Sequence, residues 1–253
     1  MPEQFRRKTP DEILQSISNI KKGRLKIILG AVSGSGKTYH LLLEGNELKR
    51  RGIDVVVGLV SASSGPKTLE QLGGLEVIPS IEWEQNGHVR QDLNMKEIYK
   101  RNPEVVLVDQ LAHKNQPSAK NPTRLEDVKE LIRNEISVIT TINIYELKGV
   151  KEVAEHLMQV PLHVSETVPE DTLTQADEVR LLDVTPEAIL KRLQVGEIEE
   201  KHDQTIGRDQ LYNKDNLAVL RELSLRFLAG EVEEDLTEYR EQEGLMGPSG
   251  ASE

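Results

Sequence analysis

The chain lacks cysteine altogether, has few aromatic residues, and nowhere collects its apolar residues into a long run. The absence of cysteine excludes disulfide bonds and thiolate metal sites. With aromatic residues at 3%, the core must rest mainly on Leu, Ile and Val. No run approaches the roughly 18–20 apolar residues that cross a bilayer, and the N-terminal residues lack the apolar stretch of a secretory signal. We therefore expect a cytoplasmic chain without membrane insertion.

Basic residues are outnumbered by acidic ones, and the net charge is −11 at pH 7. This balance opposes broad nucleic-acid binding, which depends on an excess of Lys and Arg. It still permits a nucleotide, because a few directed N–H groups and one Lys can hold a polyphosphate locally. We expect no nucleic-acid partner, whereas a small anionic ligand is compatible with the composition.

Short apolar runs alternate with amphipathic segments along most of the chain. The predicted strands cover residues 25–29, 55–60, 105–108, 136–142 and 178–184. The predicted helices cover residues 37–50, 93–101, 125–134 and 186–193, the last with Thr185 as its N-cap and Pro186 as its first residue. This alternation predicts an α/β fold of the P-loop NTPase type, with a mostly parallel sheet, helices on both faces and a further C-terminal helical segment.

The same patterns divide the chain into regions. The predicted regions are an N-terminal helix in 1–22, a P-loop nucleotide-binding domain in 23–195, a helical extension in 196–230 and an acidic, disordered tail in 231–253. Within the domain, Asn86-Gly87 predicts a hairpin across residues 81–91. Residues 110–122 predict a long polar loop, and such loops in compact domains are often functional.

The strongest chemical signal is the octet AVSGSGKT at residues 31–38. It follows an apolar strand and opens a helix, which is the context that a phosphate-binding loop requires. Gly34 and Gly36 allow the backbone to turn several N–H groups toward one anion, and the helix N-terminus adds positive partial charge. Lys37 can reach the outer phosphates of a nucleotide, and the Thr38 hydroxyl can ligate Mg²⁺. We therefore predict that the chain binds Mg-ATP.

Asp109 follows the predicted buried strand at residues 105–108. Ligands bind at the carboxyl edge of parallel sheets, so this carboxylate is placed to hold Mg²⁺ together with Thr38. Gln110 comes next, where many P-loop ATPases have a Glu that polarises the attacking water. An amide can orient water but is a poor general base. We therefore expect slow hydrolysis, with a water-positioning role for Gln110; a solvent-facing Gln110 is the alternative.

Further residues are candidates for the phosphates. Thr140, Thr141 and Asn143 end the strand at residues 136–142, and one of them could sense a terminal phosphate, although hydrogen bonding to a turn explains them equally well. Arg124 could reach a phosphate from the start of a helix, although a solvated helix start explains it too. The predicted nucleotide-binding residues are Ala31, Gly34, Ser35, Gly36, Lys37, Thr38, Arg124 and Asn143.

Several segments resemble the N-terminal cytoplasmic domain of the KdpD sensor kinases. The similar segments include GRLKIILGAVSGSGKTYHLLLEG (23–45), RGIDVVVGLV (51–60), PEVVLVDQLAHKN (103–115), RLEDVKELI (124–132), VITTINIYEL (138–147), ETVPEDTLTQADEVRLLDVTPE (166–187) and NLAVLREL (216–223). They occur in order through most of residues 10–228. The resemblance implies an ATP-binding regulatory domain that influences a membrane sensor kinase under potassium, ATP or osmotic signals.

The chain also departs from the pattern of that family. Gln110 stands where the family usually has Glu, and residues 61–65, SASSG, replace a charged Glu-Thr-His-Gly-Arg segment. Both changes remove charge from the expected site, which favours weak hydrolysis. Full-length members continue into further cytoplasmic, membrane and kinase domains, so the resemblance implies a stand-alone short form or a fragment.

Three functions stay open from the sequence. The first is a nucleotide-binding regulatory module that acts through a protein partner, such as a sensor kinase or a regulator of potassium transport. The second is an enzyme in its own right, either a P-loop ATPase or a small-molecule kinase whose 110–122 loop closes over a substrate. The third is an interaction protein without nucleotide, against which the intact Lys37, Thr38 and Asp109 argue.

Overall fold

The structure is a computed structural model that describes residues 23–61, 65–85, 87–162, 164, 166–198 and 208–230. The predicted N-terminal helix in 1–22 and the predicted acidic tail in 231–253 lie outside the described residues. So does Asn86 of the predicted hairpin turn, and so does most of the SASSG segment.

Strands and helices alternate along the described chain. The strands are β1 (Leu25–Gly30), β2 (Val55–Leu59), β3 (Glu76–Val77), β4 (Ile81–Gln85), β5 (His88–Asp92), β6 (Val105–Val108), β7 (Ser137–Asn143) and β8 (Glu178–Leu182). The helices are α1 (Lys37–Arg50), α2 (Pro66–Leu69), α3 (Met95–Arg101), α4 (Arg124–Arg133), α5 (Lys148–Met158), α6 (Pro186–Gln194), α7 (Arg208–Leu211) and α8 (Lys214–Leu228). Short 3₁₀ turns cover Glu70–Leu72, Ile144–Glu146 and Glu170–Thr172.

Six strands form one sheet in the order β3-β2-β6-β7-β1-β8, and every pairing in it is parallel. All six carboxyl ends therefore lie at one edge, where β1, β6 and β7 deliver the residues that follow them. The predicted α/β fold with a mostly parallel sheet is confirmed. The predicted hairpin is confirmed as well, since β4 and β5 pair antiparallel as a separate ribbon.

Both faces of the sheet are covered, because successive strand residues point to opposite sides. On β1, Ile28 packs into one apolar layer, and Ile27 and Leu29 pack into the other. The smaller layer includes Leu41 and Leu42 of α1. The larger layer gathers buried residues from α4, α5 and α8. The predicted covering by helices on two faces is confirmed.

Helix α1 approaches the sheet closely at Gly45. A Cβ atom at this position would lie 2.3 Å from Cδ1 of Leu107 on β6 and 3.3 Å from Cδ1 of Leu75. Only glycine fits there without displacing Leu107. This close contact fixes the position of the helix that begins at Lys37.

The C-terminal helix α8 buries Leu217, Leu220 and Leu223 in the larger apolar layer, against α5 and α6. Its start is capped by Asn213, whose side chain accepts a hydrogen bond from the Asn216 N–H. Helix α6 begins as predicted, with Pro186 in the first turn and Thr185 accepting from the Ala188 N–H. These two helices place the chain after β8 next to the edge that carries the candidate site.

Candidate functional site

The loop between β1 and α1 turns sharply through two glycines. Gly34 has φ 85° and Gly36 has φ 94°, in the left-handed region that residues with a Cβ seldom adopt. Ser35 is buried, and its hydroxyl donates to the carbonyl oxygen of Val32 over 2.6 Å. Gly36 is the N-cap of α1, so the loop ends at a helix N-terminus with positive partial charge.

Lys37 is the first residue of α1, and its side chain turns back over the loop. It is buried, and Nζ donates to the carbonyl oxygen of Val32 over 3.0 Å and to Oδ1 of Asn143. Glu146 holds Asn143 in place, accepting from its backbone N–H over 2.7 Å and from Nδ2 over 3.0 Å. The structure thus brings together two predicted site residues that are 106 positions apart.

Asp109 follows β6 and is buried at the carboxyl edge of the sheet. Its Oδ2 accepts from the Thr38 hydroxyl over 3.0 Å, and its Oδ1 accepts from the Thr141 hydroxyl over 2.5 Å. A carboxylate and a hydroxyl are hard oxygen ligands of the kind that Mg²⁺ prefers. The donor set therefore fits Mg²⁺, with Thr38 and Asp109 adjacent as predicted. Thr141 positions the carboxylate on its other side.

Gln110 has an unusual backbone conformation for a residue with a side chain, with φ 59°. Its N–H donates to Oγ1 of Thr141 over 3.0 Å, and its carbonyl oxygen accepts from Arg124. Left-handed conformations of residues other than glycine cost roughly 1–2 kcal/mol and tend to occur at functional sites. The side chain lines the cavity described below.

Arg124 lies beneath the site, and its guanidinium faces backbone. It is 1% exposed; Nη1 donates to the carbonyl oxygens of Asp109 and Gln110, each over 3.0 Å, and Nη2 donates to that of Gln91 over 2.6 Å. Burial lowers the pKa of Arg124 to about 10, partly offset by the Asp109 charge, so the group is still charged at neutral pH. This arrangement favours a supporting role; direct contact with a phosphate stays a prediction.

A cavity of about 1170 Å³ opens above these residues. It is roomy enough for a nucleotide, since small-molecule pockets measure about 300–1,000 Å³. Lys37, Thr38, Asp109, Gln110 and Asn143 line one end, which we term the loop end. Ala31 and Ser35 support the loop from inside and are both buried.

Another part of the cavity lining, termed the far end, carries a charged network that no sequence motif predicted. His113 is 7% exposed, and its Nε2 lies 2.9 Å from Oδ1 of Asp92. Nη2 of Arg90 lies 2.9 Å from Nδ1 of His113 and donates to Oε1 of Glu166. The Arg90 guanidinium also lies 5.5 Å from the ring centroid of Trp83. Each of these charges meets a partner within the network.

Titration at the far end follows from its burial. Burial lowers the pKa of His113 below its usual value, although the hydrogen bond to Asp92 opposes this shift. Burial works to raise the pKa of Asp92, but hydrogen bonds from His113 and the Gln116 N–H outweigh it and hold that pKa below its usual value. At neutral pH, His113 is therefore a neutral ring that donates to Asp92 and accepts from Arg90.

The chain after β8 also reaches the loop, which no local sequence signal indicated. Nη1 of Arg192 on α6 donates to the carbonyl oxygen of Gly34 over 2.7 Å. The Tyr212 hydroxyl donates to the carbonyl oxygen of Ser33 over 3.3 Å. Ile198 packs directly on Gly34, where a Cβ atom would lie 2.3 Å from its Cδ1. The loop is thus enclosed by residues from 158 to 179 positions further along the chain.

Within the described parts of the chain, no group of three or more His, Asp or Glu side chains is arranged to hold a metal ion. A magnesium ion would therefore depend on Thr38, Asp109, water and a bound phosphate, which is how proteins commonly hold it. Among the described helices, none has both the length and the apolar character required to cross a membrane.

Comparison with known proteins points to one family. Residues 21–232 match the family model described as KdpD: Osmosensitive K+ channel His kinase sensor domain. The sensor protein KdpD of Mycobacterium tuberculosis H37Rv is 38% identical over 220 residues, covering 87% of this chain and 25% of that protein. The sensor protein KdpD of Escherichia coli K12 is 33% identical, covering 94% of this chain and 26% of that protein.

A shorter relative is the putative sensor protein KdpD of Synechocystis, which is 37% identical over 85% of this chain and 58% of its own length. The chain thus spans about a quarter of the M. tuberculosis and E. coli relatives that it matches. Among solved structures, Bacteroides Pif1 bound to ssDNA aligns with 81% of this chain and 49% of its own, with 14% identity and a TM-score of 0.32. A likeness at that level supports no inference.

Proposed function

The chain belongs to the KdpD family of osmosensitive K+ channel His kinase sensor domains, and on that premise we propose that it binds Mg-ATP at the loop end as a regulatory module. In this proposal the module acts in the cytoplasm, in potassium or osmotic signalling, through a protein partner such as a sensor kinase or a regulator of potassium transport. Family membership supports the signalling context, and the geometry of the loop end supports the nucleotide.

The observation that carries the nucleotide proposal is the convergence of four side chains from three strand ends. Lys37, Thr38, Asp109 and Asn143 meet through direct hydrogen bonds although the sequence spreads them over 107 residues. Lys37 and the N–H groups of the loop would hold the phosphates, and Thr38 and Asp109 would hold Mg²⁺. Magnesium, when bound, neutralises phosphate charge.

The side chains of the loop end also set an expectation for turnover. Gln110 is the residue next to the proposed magnesium ligand, and its amide cannot accept a proton from water at neutral pH. Thr141 and Arg124 hold its backbone by hydrogen bonds, and the residue lines the cavity. We therefore expect a module that binds ATP and hydrolyses it slowly.

The direct test is the affinity for Mg-ATP by titration calorimetry, compared between the wild type and Lys37→Ala. A charge-assisted hydrogen bond contributes about 1.5–3 kcal/mol, so the variant should bind about tenfold to a hundredfold more weakly. Lys96→Ala is the matched control, because Lys96 is an exposed cation on α3, away from the cavity. If the folded wild type shows no binding of Mg-ATP at saturating concentration, the proposal is wrong.

The rate of ATP hydrolysis in a single turnover distinguishes a regulatory module from an enzyme. Typical enzymes turn over at about 1–10³ s⁻¹, and we expect a rate far below that range. Gln110→Glu should raise the rate, since a carboxylate can serve as the general base. A wild-type rate within the enzyme range would instead favour an ATPase or a small-molecule kinase.

A further inference from the structure

We infer that Arg192 is a second phosphate-binding cation of the loop end, supplied by helix α6, which the chain reaches only after the last strand. This inference rests on the proposed nucleotide function and adds a residue to it. Three observations support it: the place of the guanidinium, its available donors and the contacts of the chain that follows α6.

The guanidinium lies on the phosphate loop itself. Nη1 donates to the carbonyl oxygen of Gly34 over 2.7 Å, and the position of a Cβ atom on Gly36 lies 3.6 Å from the same nitrogen. Lys37 binds the same loop at the carbonyl oxygen of Val32, two residues earlier. Two cations therefore approach one short loop, and both line the same cavity.

Arg192 keeps donors for a ligand. A guanidinium has five N–H donors in a planar fork that suits phosphate oxygens, and the contacts among the described residues engage only Nη1. No described carboxylate forms an ion pair with it, unlike Arg90, which pairs with Glu166 at the far end. The oxygens of a phosphate chain would accept hydrogen bonds from the remaining N–H groups of the guanidinium, which the carbonyl oxygen of Gly34 does not engage.

The chain that follows α6 also contacts the loop and its surroundings. Ile198 packs on Gly34, where a glycine leaves room for it, and Tyr212 donates to the carbonyl oxygen of Ser33. Glu197 pairs with Lys67 of α2 over 2.5 Å. The loop that Arg192 contacts therefore has further contacts of its own, which limits the freedom lost when a ligand binds.

The test compares Arg192→Gln with Lys191→Gln. Glutamine keeps an amide donor for the Gly34 carbonyl but removes the charge, and Lys191 is an exposed cation one position away on α6. We expect Arg192→Gln to weaken Mg-ATP binding about tenfold or more and to leave AMP binding within twofold, because AMP lacks the outer phosphates. Lys191→Gln should bind both as the wild type does, and Arg192→Lys should recover part of the affinity.

The outcomes separate this inference from the proposed function. If the wild type binds Mg-ATP and Arg192→Gln binds it equally well, Arg192 is not a ligand, while the proposed function stands. An equal loss for ATP and AMP, with a lower melting temperature, would show that Arg192 only supports the loop and would also overturn the inference. If the wild type binds no Mg-ATP, the proposed function fails, and this inference fails with it.

Discussion

The loop end and the far end of the cavity both carry buried charge, but they neutralise it differently. At the loop end, Lys37 and Arg192 donate to neutral carbonyl oxygens of the loop. At the far end, Arg90 meets Glu166, and Asp92 accepts a hydrogen bond from His113. No carboxylate among the described residues forms an ion pair with Arg192, whereas Arg90 pairs with Glu166 at the far end. The two ends of the cavity therefore differ in the partners that their cations contact.

The largest effect on stability is expected for Arg124→Met, because Arg124 contacts backbone at both ends of the cavity. The substitution removes the donors to the carbonyl oxygens of Asp109 and Gln110 at the loop end and of Gln91 beside the far end. Loss of a fully buried charged group with its partners left in place costs about 3–5 kcal/mol. Urea denaturation should show a fall of this size in the free energy of unfolding.

The control for this variant is Arg133→Met, at the exposed end of the same helix. It should change the free energy of unfolding by less than about 0.5 kcal/mol. Equal losses for the two variants would show that the three carbonyl contacts do not support the cavity.

A smaller loss of stability is expected for a substitution of Thr141 at the loop end. Thr141→Val keeps the shape of the side chain but removes the donor to Asp109 and the acceptor for the Gln110 N–H. Unpaired buried groups cost about 1–3 kcal/mol, so stability should fall by that amount and Mg-ATP binding should weaken with it. Thermal and chemical denaturation measure the first effect, and titration calorimetry measures the second.

Thr140 supplies a matched control one residue away. It is completely buried, and its hydroxyl oxygen finds no hydrogen-bond partner among the residues that the structure describes. Thr140→Val should therefore be neutral or stabilising, since it removes a buried unsatisfied group. A destabilisation of Thr140→Val equal to that of Thr141→Val would contradict the assigned role of Thr141.

The smallest expected effect concerns pH at the far end. Because the pKa of His113 is lower in the folded state than in the unfolded state, its neutral form is favoured by folding. That contribution is fully present above the unfolded pKa of about 6.5 and is lost as pH falls from there through the folded pKa. His113→Gln should therefore reduce the loss of stability between about pH 8 and about pH 5.5.

His40 limits the size of that change. Its pKa is also lowered in the folded protein, chiefly by burial, so it contributes to the same slope and will keep part of it in the variant. Unfolding free energies at several pH values measure the slope directly. An unchanged slope in His113→Gln would show that His113 gains no protons on unfolding in this range.

The two ends also differ in how far they could be predicted. The loop end follows from one contiguous octet and from strands whose carboxyl ends must meet at one edge, so Lys37, Thr38, Asp109 and Asn143 could be placed together from the sequence. The far end draws Arg90 and Asp92 from β5, and His113 and Glu166 from two later segments of the chain. Arg90 and Glu166 are 76 positions apart, and no periodicity or motif links them.

Helix α5 differs, because the sequence does contain a signal for it. Lys148–Met158 was not predicted as a helix, and its N-cap Leu147 makes no side-chain capping bond. A glycine in the first turn also lowers helix propensity. Val150, Val153 and Ala154 nevertheless recur at helical spacing and are buried in the larger apolar layer. The amphipathic pattern therefore indicates this helix, although its first turn does not.

The close approach of α1 to the sheet at Gly45 has a consequence for engineering. Replacement of a helical glycine by alanine usually stabilises a helix by up to about 1 kcal/mol, yet here the added methyl group would collide with Leu107. A substitution that stabilises most helices would therefore require Leu107 to move at this position.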